Sequence, residues 1–226
     1  KMGATDFLPK PFTPPQLLTL LGRVSLRQTH AVSENKILDD DLRQRLGYSG
    51  DSPAALRLLK QLRLIASQTS TTPVLISGET GTGKGWVARC LHESGPRSQQ
   101  SFIDVNCAAM PSALMESLLF GYESGAFTDA KEQRKGYFEL ADHGILYLDE
   151  VAELSLEAQA KLLKVLEEQT FYRVGGQRPV SVDVLVLAAT HRNLKQWVQE
   201  GRFREDLYYR LNVLNLQVPA LRERRD

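Results

Sequence analysis

The sequence predicts an α/β protein built on a parallel sheet with helices on both faces. Two observations carry that expectation. Short apolar runs alternate with helical patterns from Pro53 onward, and strands joined by helical crossovers form parallel sheets buried on both sides. Two of the runs also end in polar groups. Val74-Leu75-Ile76 leads into a glycine-rich loop, and Ile145-Leu146-Tyr147-Leu148 ends in two acids. Ligands bind at the carboxyl ends of the strands in such sheets.

The elements follow in order. Gly3 to Phe12 reads as a short strand running into a Pro-punctuated loop. Pro14 and Pro15 suit a first helical turn, and Leu17, Leu20, Leu21 and Val24 recur at helical spacing. Residues 27–36 are polar, and Leu38, Leu42 and Leu46 space out a weak helix. This stretch reads as a helical linker whose apolar stripe could pair with a second chain as a short coiled coil. Pro53 to Ser67 is an amphipathic helix with Leu56, Leu59, Leu62 and Ile65 inward. Then come a strand at 74–76, a helix at 84–94, a strand at 102–105 and a helix at 111–119. A strand at 145–148, a helix at 156–168, a strand at 184–187 and helices at 193–199 and 203–211 complete the pattern.

Composition narrows the class. The 226 residues are 42% hydrophobic and 24% charged, as in ordinary globular chains, which excludes disordered and collagen-like proteins. No apolar run approaches the ~18 residues of a membrane helix. A net charge of +1 excludes a broad basic field for nucleic acid. Two cysteines, Cys90 and Cys107, cannot build a disulfide framework and suit a reducing, cytoplasmic setting. The first residue, Lys1, and the ending Arg224-Arg225-Asp226 read as the cut ends of a longer protein.

Gly78-Glu79-Thr80-Gly81-Thr82-Gly83-Lys84 follows a strand and opens a helix, the context of a phosphate-binding loop. Its glycines let backbone N–H groups turn toward an anion. The helix N-terminus adds partial positive charge, and Lys84 reaches outer phosphates as a point charge. The usual pattern continues with Ser or Thr, whose hydroxyl binds magnesium; here position 85 is Gly. A plain glycine-rich turn is the competing reading. The acidic pair offers a metal ligand in Asp149 and a group to orient or deprotonate water in Glu150. Acids that merely cap the next helix are the alternative there.

Three stretches together closely resemble one family. Gly78–Lys84, Gly125-Ala126-Phe127-Thr128-Asp129-Ala130, and Gly201-Arg202-Phe203-Arg204-Glu205-Asp206-Leu207-Tyr208-Tyr209-Arg210-Leu211-Asn212 look like the AAA+ domain of bacterial enhancer-binding proteins, the sigma-54-dependent activators of the NtrC type. The resemblance runs from about Gly47 to Asp226. Residues 1–24 are similar to the last strand and helix of a response-regulator receiver, with Lys10-Pro11 matching its lysine–proline pair. The implied organisation is a receiver remnant (1–24), a helical linker (25–46) and a three-layer α/β/α P-loop AAA+ core (47–226) whose lid is truncated.

The resemblance also implies roles. Gly78, Glu79, Thr80, Gly81, Thr82, Gly83, Lys84, Gly85 and Thr190 would bind ATP, with Asp149 on Mg2+ and Glu150 on the attacking water. Asn106 would pair with Glu150 and hold it away from water in one nucleotide state. Thr190 and His191 sit where the family senses the γ-phosphate, often with Thr-Asn. Arg204 and Arg210 match paired arginine fingers that act on a neighbour's nucleotide in a hexameric or heptameric ring. Gly125, Ala126, Phe127, Thr128, Asp129 and Ala130 match the loop that touches sigma-54; the family pattern has Gly where this chain has Asp129. From spacing alone, a hairpin tip with Phe127 tucked into the core stays open. The implied function is an ATP-driven remodeller of the sigma-54 RNA polymerase closed complex within a two-component system. It would take its signal from a sensor kinase and reach DNA through a further domain. The alternatives are another AAA+ or P-loop ATPase, or a non-catalytic nucleotide-binding fragment.

Overall fold

Ser52 caps the first helix described in the computed structural model, which covers residues 52–224 apart from Asp129. The expected receiver remnant and linker lie outside the described residues. Ser52 Oγ accepts the Ala55 N–H at 3.2 Å, and Pro53 fills the first turn, where its missing N–H costs nothing. Helix α1 (Pro53–Ala66) buries Ala55, Leu58, Leu59 and Leu62. Leu56, expected inward, is 42% exposed; the buried stripe is rotated by one position toward Ala55.

Strand β1 (Val74–Ser77) leads through the glycine-rich loop into α2 (Lys84–Ser94). Strand β2 (Phe102–Asn106) is followed by α3 (Ser112–Phe120) and the single turn α4 (Tyr137–Leu140). Strand β3 (Ile145–Asp149) carries the acids, and α5 (Leu156–Glu168) follows with a Ser155 cap. After it come the small strands β4 (Thr170–Tyr172) and β5 (Pro179–Ser181), which pair antiparallel. Strand β6 (Leu185–Thr190), helices α6 (Leu194–Gln199) and α7 (Glu205–Leu211), and strand β7 (Leu214–Gln217) complete the order.

The main sheet runs β2-β3-β6-β1-β7, and every neighbouring pair is parallel. The expected α/β parallel sheet is therefore present. Its central strands β3, β6 and β1 are buried almost throughout, which is why their sequences are nearly continuous apolar runs. Because β3 and β6 are neighbours, the residues just past their ends meet: Glu150 follows β3 and His191 follows β6.

The structure adds elements the sequence pattern did not reveal. Strand β6 runs on through Ala188, Ala189 and Thr190, beyond the expected end at Leu187. Strand β7 lies beside β1 at the sheet edge, with Val74 opposite Leu214. Its Asn215 and Gln217 accept from Ser77 Oγ at 3.2 and 2.8 Å, so its alternate residues are polar. Under the sheet Phe120, Phe138 and Phe171 form an aromatic cluster with centroids 5.4–5.9 Å apart; such pairs add about 0.5–1.5 kcal/mol each beyond burial.

Candidate functional site

The glycine-rich loop leaves β1 under tight backbone control. Gly78 N–H donates to Thr190 O at 3.3 Å, tying the loop to the end of β6. A Cβ at Gly78 would lie 2.8 Å from Val218 O, so no side chain fits there. Gly81 and Gly83 take φ of +79° and +89°, left-handed values that suit glycine. Gly83 is the cap of α2, whose N-terminus therefore opens onto the loop. Thr82, with Oγ1 on Glu79 O at 2.8 Å, is buried.

Lys84 is buried too, and its ammonium folds back over the loop. Nζ donates to Gly78 O at 3.2 Å and to Glu79 O at 3.3 Å, and stands 3.8 Å from Glu150 Oε1. Glu150 holds a left-handed backbone (φ 53°, ψ 51°). A non-glycine residue there carries strain of order 1–3 kcal/mol, and such strain gathers at functional sites. Its Oε2 meets His191 Nδ1 at 2.7 Å. Asp149 Oδ1 accepts the Glu150 N–H at 3.1 Å. The loop, both acids and His191 thus converge at the carboxyl ends of β1, β3 and β6.

Other expected residues take different positions. Asn106 lies opposite Asp149 in the sheet, but its Oδ1 accepts from Ala108 N–H at 3.0 Å. The partner that holds Glu150 is His191, so the expected Asn106–Glu150 pair is not the one formed here. Thr190 is buried, and its Oγ1 accepts from Arg192 N–H at 3.0 Å. Gly85 lies in the first turn of α2, directly over the Tyr147 ring.

Arg204 caps α7 and clasps Asp206 through two hydrogen bonds of 3.1 and 2.7 Å. That contact holds the Asp206 carboxyl below its ordinary range. Arg210 instead donates Nε and Nη2 to Leu166 O. The two guanidinium groups therefore diverge, as their spacing of six predicts, and both are exposed.

The 125–130 segment is a tight turn. Gly125 (φ +81°) donates to Ala130 O at 2.7 Å, and Ala130 N–H to Phe127 O at 2.9 Å. Asp129 lies outside the described residues. Phe127 is 41% exposed with its ring against Tyr122 at 4.9 Å, so it is not tucked into the core. The base of the turn is anchored by Arg173, which bonds Glu123 at 2.7 Å and Glu139 at 2.9 and 2.6 Å.

Two features escaped sequence reasoning. Glu79, in the loop itself, is gripped by Arg222 at 2.6 and 2.7 Å; this contact lowers the Glu79 pKa. Cavities of about 310 and 380 Å³ flank the loop, the first between α1 and Val218–Ala220, the second beside Thr190 and His191. Both cysteines are buried, and burial, then the Asp149 charge, pushes the Cys107 thiol up to about 12.

The donor set fits a phosphate–magnesium group. Among the described residues no cluster of three or more His, Cys, Asp or Glu could hold a metal by itself. Magnesium in phosphate sites needs only one or two carboxylates plus phosphate oxygens, and Asp149 at the loop supplies one. Among the described residues no helix is long and apolar enough to cross a membrane.

Residues 48–217 match the family described as the sigma-54 interaction domain. The chain is 46% identical over 227 residues to the DNA-binding transcriptional regulator NtrC of Escherichia coli K12, covering all of this chain and 47% of that protein. It is 47% identical to the response regulator PilR of Pseudomonas aeruginosa, again over its whole length and 49% of the relative. A crystal structure of NtrX from Brucella abortus in complex with ATP superposes with a TM-score of 0.71 at 39% identity, over 97% of this chain and 46% of that one. The chain thus spans about half the length of these relatives.

Proposed function

The chain belongs to the sigma-54 interaction domain family, and from that premise we propose that it is the ATP-hydrolysing module of a sigma-54-dependent transcriptional activator. The observation that carries this reading is the meeting of Lys84 and Glu150 at 3.8 Å, beneath the loop and at a strained backbone position. The loop amides and Lys84 bind the phosphates of ATP, and Asp149 holds Mg2+. Bound there, the metal supplies charge neutralisation on the phosphate oxygens. Glu150 orients the attacking water and takes its proton, and His191 holds that carboxylate until it is needed.

Arg204 and Arg210 are exposed residues, and on this reading their guanidinium groups leave Asp206 and Leu166 O to reach the nucleotide of a neighbouring protomer in a ring. An arginine delivered in trans stabilises charge on the transferred phosphoryl group and can be worth about 10³–10⁵ in rate. The exposed Phe127 and Thr128 turn is the surface offered to sigma-54. In the whole protein, phosphoryl signalling from a sensor kinase and DNA binding by a further domain complete a cytoplasmic activator.

Glu150→Gln tests the catalytic assignment. It keeps the shape and removes the base, so ATP affinity stays within a few-fold while turnover falls at least about 10²-fold. Undiminished turnover removes Glu150 from the chemistry.

A further inference from the structure

Among the described residues, Ser52, Thr82, Lys84, Gln159 and Thr190 are buried although polar or charged. Ser52 caps α1, and Thr82, Lys84 and Thr190 belong to the loop site. Gln159, near the start of α5, is fully enclosed and stands apart from that site. An enclosed amide costs free energy unless its groups are bonded, and a satisfied one fixes the parts it joins.

Its bonds run to two separate segments. Nε2 donates to Leu154 O at 2.8 Å and to Arg202 O at 3.2 Å, and Oε1 accepts the Arg204 N–H at 2.9 Å. Leu154 ends the short turn Val151–Glu153 that follows Glu150. Arg204 is the cap residue of α7, and N–H groups at a helix start have no partner within their own helix. One side chain therefore joins the segment leaving Glu150 to the base of Arg204. The bond is to the Arg204 backbone, so it persists when the guanidinium releases Asp206. Arg210 differs, because its guanidinium itself is tied to α5 at Leu166 O.

We propose that Gln159 is a positioning residue: its buried amide fixes the backbone of Arg204 against the segment that follows Glu150, and so sets the Arg204 guanidinium for the nucleotide of the neighbouring protomer. This rests on the role in trans given to Arg204 above.

The test mixes variants of the whole protein in equal amounts and measures ATP turnover. Arg204→Ala protomers keep an intact hydrolytic site and lack the finger; Glu150→Gln protomers lack the base and keep the finger. The mixture turns over ATP faster than either variant alone. Gln159→Met preserves an unbranched side chain of similar size and removes the amide. Placed in the Glu150→Gln protomer, it lowers the restored turnover about 10- to 100-fold, the scale of a reacting group displaced by an ångström. Placed in the Arg204→Ala protomer, it leaves that turnover within about twofold, since a residue acting through Arg204 has no further effect once Arg204 is gone. Gln159→Leu repeats the comparison if the Met variant does not fold. An undiminished turnover with the substitution in the finger-bearing protomer would overturn the inference. So would equal losses in both placements, which mark a side chain that only maintains the fold. A first mixture no faster than its components would instead remove the trans role of Arg204, and the inference with it.

Discussion

His191 Nδ1 lies 2.7 Å from Glu150 Oε2, joining the residue after β6 to the residue after β3. The parallel pairing of those strands makes the meeting possible. With Lys84 on its other oxygen at 3.8 Å, Glu150 is held from two sides. His191→Ala removes one of these restraints and leaves the phosphate loop intact. Basal hydrolysis is expected to rise about 2- to 10-fold, the range of one hydrogen bond, with nucleotide affinity unchanged. Steady-state turnover and ADP titration check this; a fall in turnover would show that His191 orients the carboxylate for attack.

The role proposed for the turn at 125–130 predicts that energy use and its output can be separated there. Phe127 and Thr128 are exposed, and the turn closes through its own backbone at Gly125 and Ala130. Thr128→Ala therefore leaves folding untouched, since exposed substitutions away from special features stay within about 0.5 kcal/mol. ATP turnover is expected within twofold of wild type, and sigma-54-dependent transcription at least about tenfold lower. If both activities survive, the surface offered to sigma-54 lies elsewhere.

Arg173 ties that turn to the core. Its guanidinium joins Glu139, which is 7% exposed on its side chain, and Glu123 at the base of the turn. Arg173→Ala leaves Glu139 as a nearly buried charge without its cation. Removing one partner of a buried pair costs about 3–5 kcal/mol; the partial exposure of Glu123 puts the expected loss at the lower end. Urea unfolding measures it, and Arg173→Ala with Glu139→Gln should recover part of it.

How far the sequence could be read follows from the range of each signal. Strong local patterns were legible: α2 and α5 occupy the spans their periodicity predicts, and the loop and acids stand at strand ends as expected. Three-residue strands β4 and β5 are too short for an alternation to register. The alternating Leu-Asn-Leu-Gln of β7 offered only four residues, and its role as the sheet edge depends on β1, far away in sequence. Contacts across the sheet were invisible for the same reason. Glu79 meets Arg222 across 143 residues, and Glu150 meets His191 across 41, a partner that only the sheet order brings near.

A second long-range tether makes stability sensitive to acid. Arg97 Nη2 bonds Asp183 Oδ1 at 2.6 Å, while Nη1 serves Gly144 O and Asp183 O at 3.0 and 2.8 Å. The Arg97 hydrogen bond holds the Asp183 carboxyl below its usual value, with His143 adding a smaller effect. A carboxyl depressed in the folded state contributes stability that is fully present above its unfolded pKa of about 3.9. That contribution fades as pH falls through the lower folded value. Half-exposure of Asp183 keeps it modest. Arg97→Gln removes the cause of the shift. The urea midpoint of wild type should exceed that of the variant at pH 7, and the gap should narrow below about pH 4 as Asp183 takes up its proton. A gap that stays constant from pH 7 to pH 3 would mean that Arg97 acts through its two carbonyl bonds alone.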